Sequence, residues 1–104
     1  MGTSAFRDSF DYSIEPSPDG DILRVHGEVN FMTAEKFHGL LQGFVGDKRH
    51  ATVDLRGVTL MNIQGLQALE EASRSRTIRL RATRFIWHML GVLRLRDRFE
   101  RLAD

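Results

Sequence analysis

The first regular pattern along the chain has a period of two. Phe10, Tyr12 and Ile14 alternate with Asp11, Ser13 and Glu15. Successive strand side chains point to opposite faces, so this predicts a half-buried strand. Pro16-Ser17-Pro18-Asp19-Gly20 ends it. Proline gives a ladder no N–H, and Asp-Gly suits a tight turn, so Ile22 to Val29 reads as the return strand of a hairpin.

The period then lengthens. Phe37, Leu40, Leu41, Phe44 and Val45 fall at i, i+3, i+4, i+7 and i+8, the stripe of a helix packed on a core. Thr33 is the expected N-cap, its hydroxyl accepting from a first-turn N–H, with Glu35 at the positive helix end. Gly46 is the expected stop. Ala51, Val53 and Leu55 predict a short strand, and Gly57 to Met61 reads as a connection. Asn62 suits the cap of a helix that starts near Ile63 and buries Leu66, Leu69 and Ala72. Thr77 to Ala82 alternates again, Ile78 and Leu80 against Arg79 and Arg81. Thr83 is placed to cap a last helix with Phe85, Ile86, Met89, Leu90 and Leu93, and Phe99 and Leu102 close the core after a bend. The order β-β-α-β-α-β-α predicts an α/β fold, a mixed sheet of about four strands with three or more helices and right-handed crossovers. Residues 1–9 are expected to be a flexible lead-in and residues 10–104 a single domain.

Composition narrows the function. The 104 residues contain no cysteine, which excludes a thiolate metal site and a cysteine nucleophile. No apolar run approaches the about 18 residues of a membrane helix, and Met1 to Phe10 has no signal-peptide core, so a cytoplasmic protein without membrane insertion is expected. The net charge of +1 is uneven. Residues 74–101 carry nine arginines against Asp97 and Glu100, whereas residues 1–50 carry eight acids against five bases. The first reading of this stretch is a solvated helix and strand face; a cationic edge of this kind also suits an acidic partner surface, while direct nucleic-acid binding is not expected.

Catalytic chemistry has little to stand on. His26, His38, His50 and His88 are spread out, with no partner at metal-ligand spacing. There is no nucleophile elbow and no phosphate-binding glycine loop. Glu70 and Glu71 read as a solvated helix face. No enzyme activity, metal or cofactor is expected.

The informative stretch runs from Val53-Asp54-Leu55-Arg56-Gly57-Val58 through Asn62-Ile63-Gln64-Gly65-Leu66-Gln67-Ala68-Leu69. It resembles the central signature of STAS domains, the anti-sigma factor antagonist family: a hydrophobic residue, then Asp-Leu-x-x-Val, then Asp-Ser-Ser/Thr-Gly-Leu-x-x-Leu. Upstream, His26-Gly27-Glu28-Val29-Asn30 with Thr33 and Ala34 is similar to that family's "LxGELD" strand end. Leu90 to Leu95 and Arg98 to Leu102 resemble its closing segment more weakly, so the likeness spans about residues 12–102.

The departures are chemical. In the phospho-switched relatives an Asp precedes a hydroxyl residue that the partner kinase phosphorylates. Here Asn62 fills the Asp slot, Ile63 the acceptor slot and Gln64 the next, and Asn30 replaces the acid that ends the second strand. Ile63 has no oxygen to phosphorylate. The resemblance therefore implies an anti-sigma factor antagonist that binds a serine-kinase-type anti-sigma factor, or a similar regulatory protein, with no phosphosite at the usual place. The implied contact surface is the loop from Asn30 to Thr33, Asn62 and Ile63 at the helix start, and Gln64, Gln67, Glu71 and Arg74 on one helix face; each of these four also reads as a solvated position, and Ile63 also as a first-turn core residue. The alternative it leaves is a STAS scaffold subunit of a signalling complex or of a lipid-transport ABC system. A homodimer is compatible with either reading.

Overall fold

The structure is a computed structural model and describes residues 10–103. The expected lead-in, residues 1–9, lies outside the described residues. Strands β1 (Phe10–Glu15) and β2 (Ile22–Val29) form the antiparallel hairpin. They are followed by α1 (Ala34–Val45), β3 (His50–Met61), α2 (Ile63–Ser73), β4 (Thr77–Arg81) and α3 (Arg84–Val92). A short 3-10 turn, Arg96–Arg98, leads into β5 (Phe99–Arg101). The sheet order is β1-β2-β3-β4-β5, and every pair after the hairpin is parallel.

Two elements differ from expectation. Strand β3 continues through Gly57 to Met61, where a connection was expected. The β2–β3 register shifts between Arg24 and His26 and again between Gly27 and Glu28, so the two-residue period fails there while the pairing continues. Gly57 is required at the first shift: a Cβ would lie 2.5 Å from Nδ1 of His26 and 3.2 Å from the Val25 carbonyl. Phe99 opens a fifth strand against β4, with Ile78 opposite Phe99.

Sequential parallel strands joined by crossovers of one hand carry their helices on one face. The burial alternation agrees. Leu23, Val25, Val53, Leu55, Ile78 and Leu80 are fully buried, and Phe37 and Leu41 of α1, Leu66 and Leu69 of α2 and Ile86 and Leu90 of α3 share their core. Phe10 meets Phe37 edge to face, with ring centres 6.5 Å apart. Tyr12 and Ile14 point to the same side, but on the edge strand they stay about half exposed, at 49% and 47%.

The second face of the sheet is polar. Arg24, Asp54 and Arg81 are register neighbours across β2, β3 and β4, and Thr52 and Arg79 form the next row. Asp54 is buried. Its Oδ1 accepts from the Arg56 backbone N–H and from Arg56 Nε, both at 3.0 Å, and its Oδ2 accepts from Arg56 Nη2 at 2.8 Å. Arg24 Nε lies 3.5 Å from Oδ2. Burial pushes the Asp54 carboxyl upward, but the Arg56 donors and the charges of Arg56 and Arg24 outweigh it, leaving its pKa below the ordinary 3.8.

The end of α3 is closed by its backbone. The Arg94 N–H donates to the Gly91 carbonyl at 3.0 Å, and the Leu95 N–H donates to the Leu90 carbonyl at 2.7 Å. This double closure places Arg94 at φ 60, a left-handed position that glycine occupies at little cost.

Two outcomes follow for stability. A carboxyl with a depressed folded pKa stabilises above its unfolded value and loses that contribution as pH falls through the folded one. Asp54→Asn is expected to destabilise by about 1–3 kcal/mol at neutral pH and to flatten the acid limb below about pH 4, read by urea denaturation across pH. Arg94→Gly is expected to stabilise by about 0.5–1 kcal/mol, read as a rise in Tm.

Candidate partner-binding surface

The carboxyl ends of β2, β3 and β4 each feed a helix on the same face, which gathers three loops at one end of the sheet. Between β2 and α1, the Asn30 side chain organises a tight turn. Its Oδ1 accepts from the Met32 N–H at 2.9 Å and the Thr33 N–H at 3.1 Å, and its Nδ2 donates to Glu28 at 3.2 Å. Thr33 does not cap α1 through its side chain, contrary to expectation. Its hydroxyl accepts from the Asn30 N–H at 2.9 Å and donates to the Glu28 carbonyl at 2.7 Å, so it faces back into the turn and is buried. The turn thrusts Phe31 and Met32 outward, at 80% and 71% exposure.

The β3–α2 junction is built around Asn62. It is extended, and its Oδ1 accepts from the Gly65 N–H at 2.9 Å, the expected cap. Its own N–H donates to the Val29 carbonyl at 2.8 Å, fastening the helix start to the end of β2. Met61 is buried, and Ile63 is 49% exposed. Gly65 lets α2 approach this closely, because a Cβ there would lie 2.8 Å from both Met61 Cγ and Val29 Cγ1. Leu60 is also exposed. At the β4–α3 junction Thr83 caps through its hydroxyl, accepting from the Ile86 N–H at 3.2 Å, and Phe85 is exposed.

Helices α1 and α2 enclose an open groove of about 480 Å³. The buried Ala34 and Ala68 lie at its base. Phe31, Glu35 and His38 line one wall, and Gln64, Gln67 and Glu71 line the other. His38 Nε2 lies 3.2 Å from Glu71 and ties the two helices together.

The eight sequence-derived candidates therefore separate. Asn62 and Ile63 stand at the start of α2, and Gln64, Gln67 and Glu71 share the groove wall. Asn30 and Thr33 shape the adjoining turn from within it. Arg74 lies at the other end of α2, 3.9 Å from Glu70. Phe31 and Met32 fall within the expected loop from Asn30 to Thr33 but were not singled out in it. The available signal was two large apolar side chains in succession between a strand end and a helix cap.

Among the described residues no group of three or more His, Cys, Asp or Glu side chains is placed to hold a metal ion. Among the same residues no helix is long and apolar enough to cross a membrane.

A family model described as "Mlab, STAS domain" matches residues 13–100, and the chain belongs to the STAS domain family. No curated protein matches the sequence significantly. Among solved structures, an anti-sigma factor antagonist from Mycobacterium paratuberculosis is similar, with a TM-score of 0.73 and 21% identity over 94% of this chain and 89% of that one. A STAS-domain antisigma-factor antagonist from Rhodobacter sphaeroides has a TM-score of 0.54 and 25% identity over 73% of this chain and 87% of that one. The anti-sigma factor antagonist SpoIIAA in its unphosphorylated form has a TM-score of 0.65 and 16% identity, covering 90% of each chain.

The cap geometry carries its own test. Asn62→Ala is expected to cost about 1 kcal/mol in a thermal melt, whereas Asn62→Asp retains the capping oxygen and should cost less.

Proposed function

We propose that this chain is a non-catalytic protein-interaction module, an anti-sigma factor antagonist that binds a serine-kinase-type anti-sigma factor and is not switched by phosphorylation at the start of α2. The observation that carries the reading is the exposed Ile63 side chain directly after the Asn62 cap. A dianionic phosphate at such a place would disrupt a contact by repulsion and desolvation. A branched hydrocarbon in that place takes no phosphate and adds exposed apolar area, as Phe31 and Met32 do in the β2–α1 turn. The STAS fold and its similarity to structures of anti-sigma factor antagonists support the choice of partner class. The surface is the β2–α1 turn, the start of α2 and the α1–α2 groove. Contact, and not chemistry, is its work, and the cytoplasm is where such a partner would be met.

A second reading is a STAS subunit of a signalling complex or of a lipid-transport ABC system. The family match to the Mlab type of STAS domain favours keeping it. Both readings use the same surface and differ in the ATP-binding partner that meets it.

The test pairs binding with phosphorylation. The purified chain is titrated with each serine-kinase-type anti-sigma factor of its genome, with and without ATP. Tight binding with no phosphate incorporated and no release on adding ATP is the expected result. Phosphate on the chain, with release, would refute the unswitched antagonist. Absence of binding to every such kinase, with a transport ATPase co-purifying instead, would establish the second reading in its place.

A further inference from the structure

The charge of the α1–α2 groove says what kind of side chain it takes. Two carboxylates, Glu35 and Glu71, and two carboxamides, Gln64 and Gln67, line it, and among the described residues no lysine or arginine does. Phe31 stands at its mouth, 80% exposed. Ala34 and Ala68 keep its base shallow in side-chain volume. His38 holds the Glu71 carboxylate at 3.2 Å, so one of the two acids is already oriented across the groove. This is the opposite polarity from the arginine-rich final third, so the groove selects a different partner chemistry from the one the overall charge distribution suggests.

We infer that the groove receives an arginine side chain from a basic amphipathic helix of the partner protein, its guanidinium stacked on Phe31 and hydrogen-bonded to the Glu35 and Glu71 carboxylates. The inference rests on the reading of this face as the partner-contact surface. Arginine fits better than lysine because its flat, delocalised cation stacks on an aromatic face while its fork of N–H donors reaches carboxylate and carboxamide oxygens together. Two small residues at the base admit the long aliphatic stem. The neighbouring Met32 and Ile63 give the apolar positions of the same helix somewhere to rest.

The probe is an amidated amphipathic helical peptide of about 14 residues with two arginines four apart, set against the same peptide with citrulline in their place. Citrulline keeps the shape and removes the charge. Binding is followed by amide NMR shifts of the full chain. The arginine peptide is expected to bind about tenfold more tightly than the citrulline peptide, with shifts centred on Phe31, Glu35, Gln64 and Gln67. Glu35→Gln with Glu71→Gln should abolish that difference. Arg79→Glu, on the far face of the sheet, should leave it intact. Equal affinity for the two peptides, no binding of the arginine peptide, or shifts centred on the far face would overturn the inference.

The intact partner separates this inference from the reading beneath it. If an anti-sigma kinase binds the wild-type chain and the Glu35→Lys, Glu71→Lys double variant equally, the arginine assignment is wrong and the antagonist reading stands. If the peptide difference holds while no anti-sigma kinase binds, the groove chemistry stands and the antagonist reading falls.

Discussion

Connectivity constrains this molecule more than any single contact. A hairpin followed by three crossovers in sequential order places α1, α2 and α3 on one side of the sheet. That side takes the whole apolar core. The other side is left without a helix among the described residues, yet its backbone is still sheet and its side chains still alternate toward it. The solution is electrostatic. Asp54 sits low in the middle strand, and Arg24 and Arg56 close over it, so long aliphatic stems shield the strands while their charges stay paired. The depressed pKa of Asp54 is the trace of that arrangement. It also gives a physical meaning to the Asp in the Val53-Asp54-Leu55 motif, whose neighbours on both sides are core.

The same logic reduces the apparent basic character of the chain. Arg76 donates to the carbonyls of Lys48, Ala72 and Gly46 at 3.1, 2.8 and 3.0 Å, joining the ends of α1 and α2. Arg96 donates to the Trp87 carbonyl at 3.0 Å, and its guanidinium lies over Gly91. Arg101 stacks 4.8 Å from the Trp87 ring centre. Arg79 faces Glu100, and Arg98 faces Glu70. Arginine serves here as a backbone cap and a sheet cover, roles that its five fixed donors suit. A formal excess of cations in residues 74–101 is therefore a poor guide to a cationic docking surface, and the α1–α2 groove is lined by acids.

Much of this was legible in the sequence. The helical stripe from Phe37 to Val45, the caps Asn62 and Thr83 and the alternation of β4 come from local periodicity and local hydrogen bonding. These interactions act within a few residues and leave a local pattern. What was not legible depends on neighbours distant in sequence. The second half of β3 is held by β2 through two register shifts, so its own residues do not alternate. The three residues of β5 are too few to show a period, and β4 defines them. Thr33 looked like a cap because cap residues are recognised by type, but Asn30 captured its hydroxyl for the preceding turn. The exposure of Phe31 and Met32 is a consequence of that turn, visible only once it is closed.

The start of α2 shows how a site loses one property and keeps another. An Asp at a helix N-cap supplies both a capping oxygen and a negative charge. Asn62 supplies the oxygen alone, and its 2.9 Å bond to the Gly65 N–H makes the cap without a charge. The residue after it, Ile63, is half exposed and takes no part in the cap hydrogen bond. A half-exposed β-branched hydrocarbon costs solvation when it stands alone and recovers it when covered. In the interface proposed above, apolar contact would supply strength and the acidic groove the choice of partner, with no covalent event at this slot.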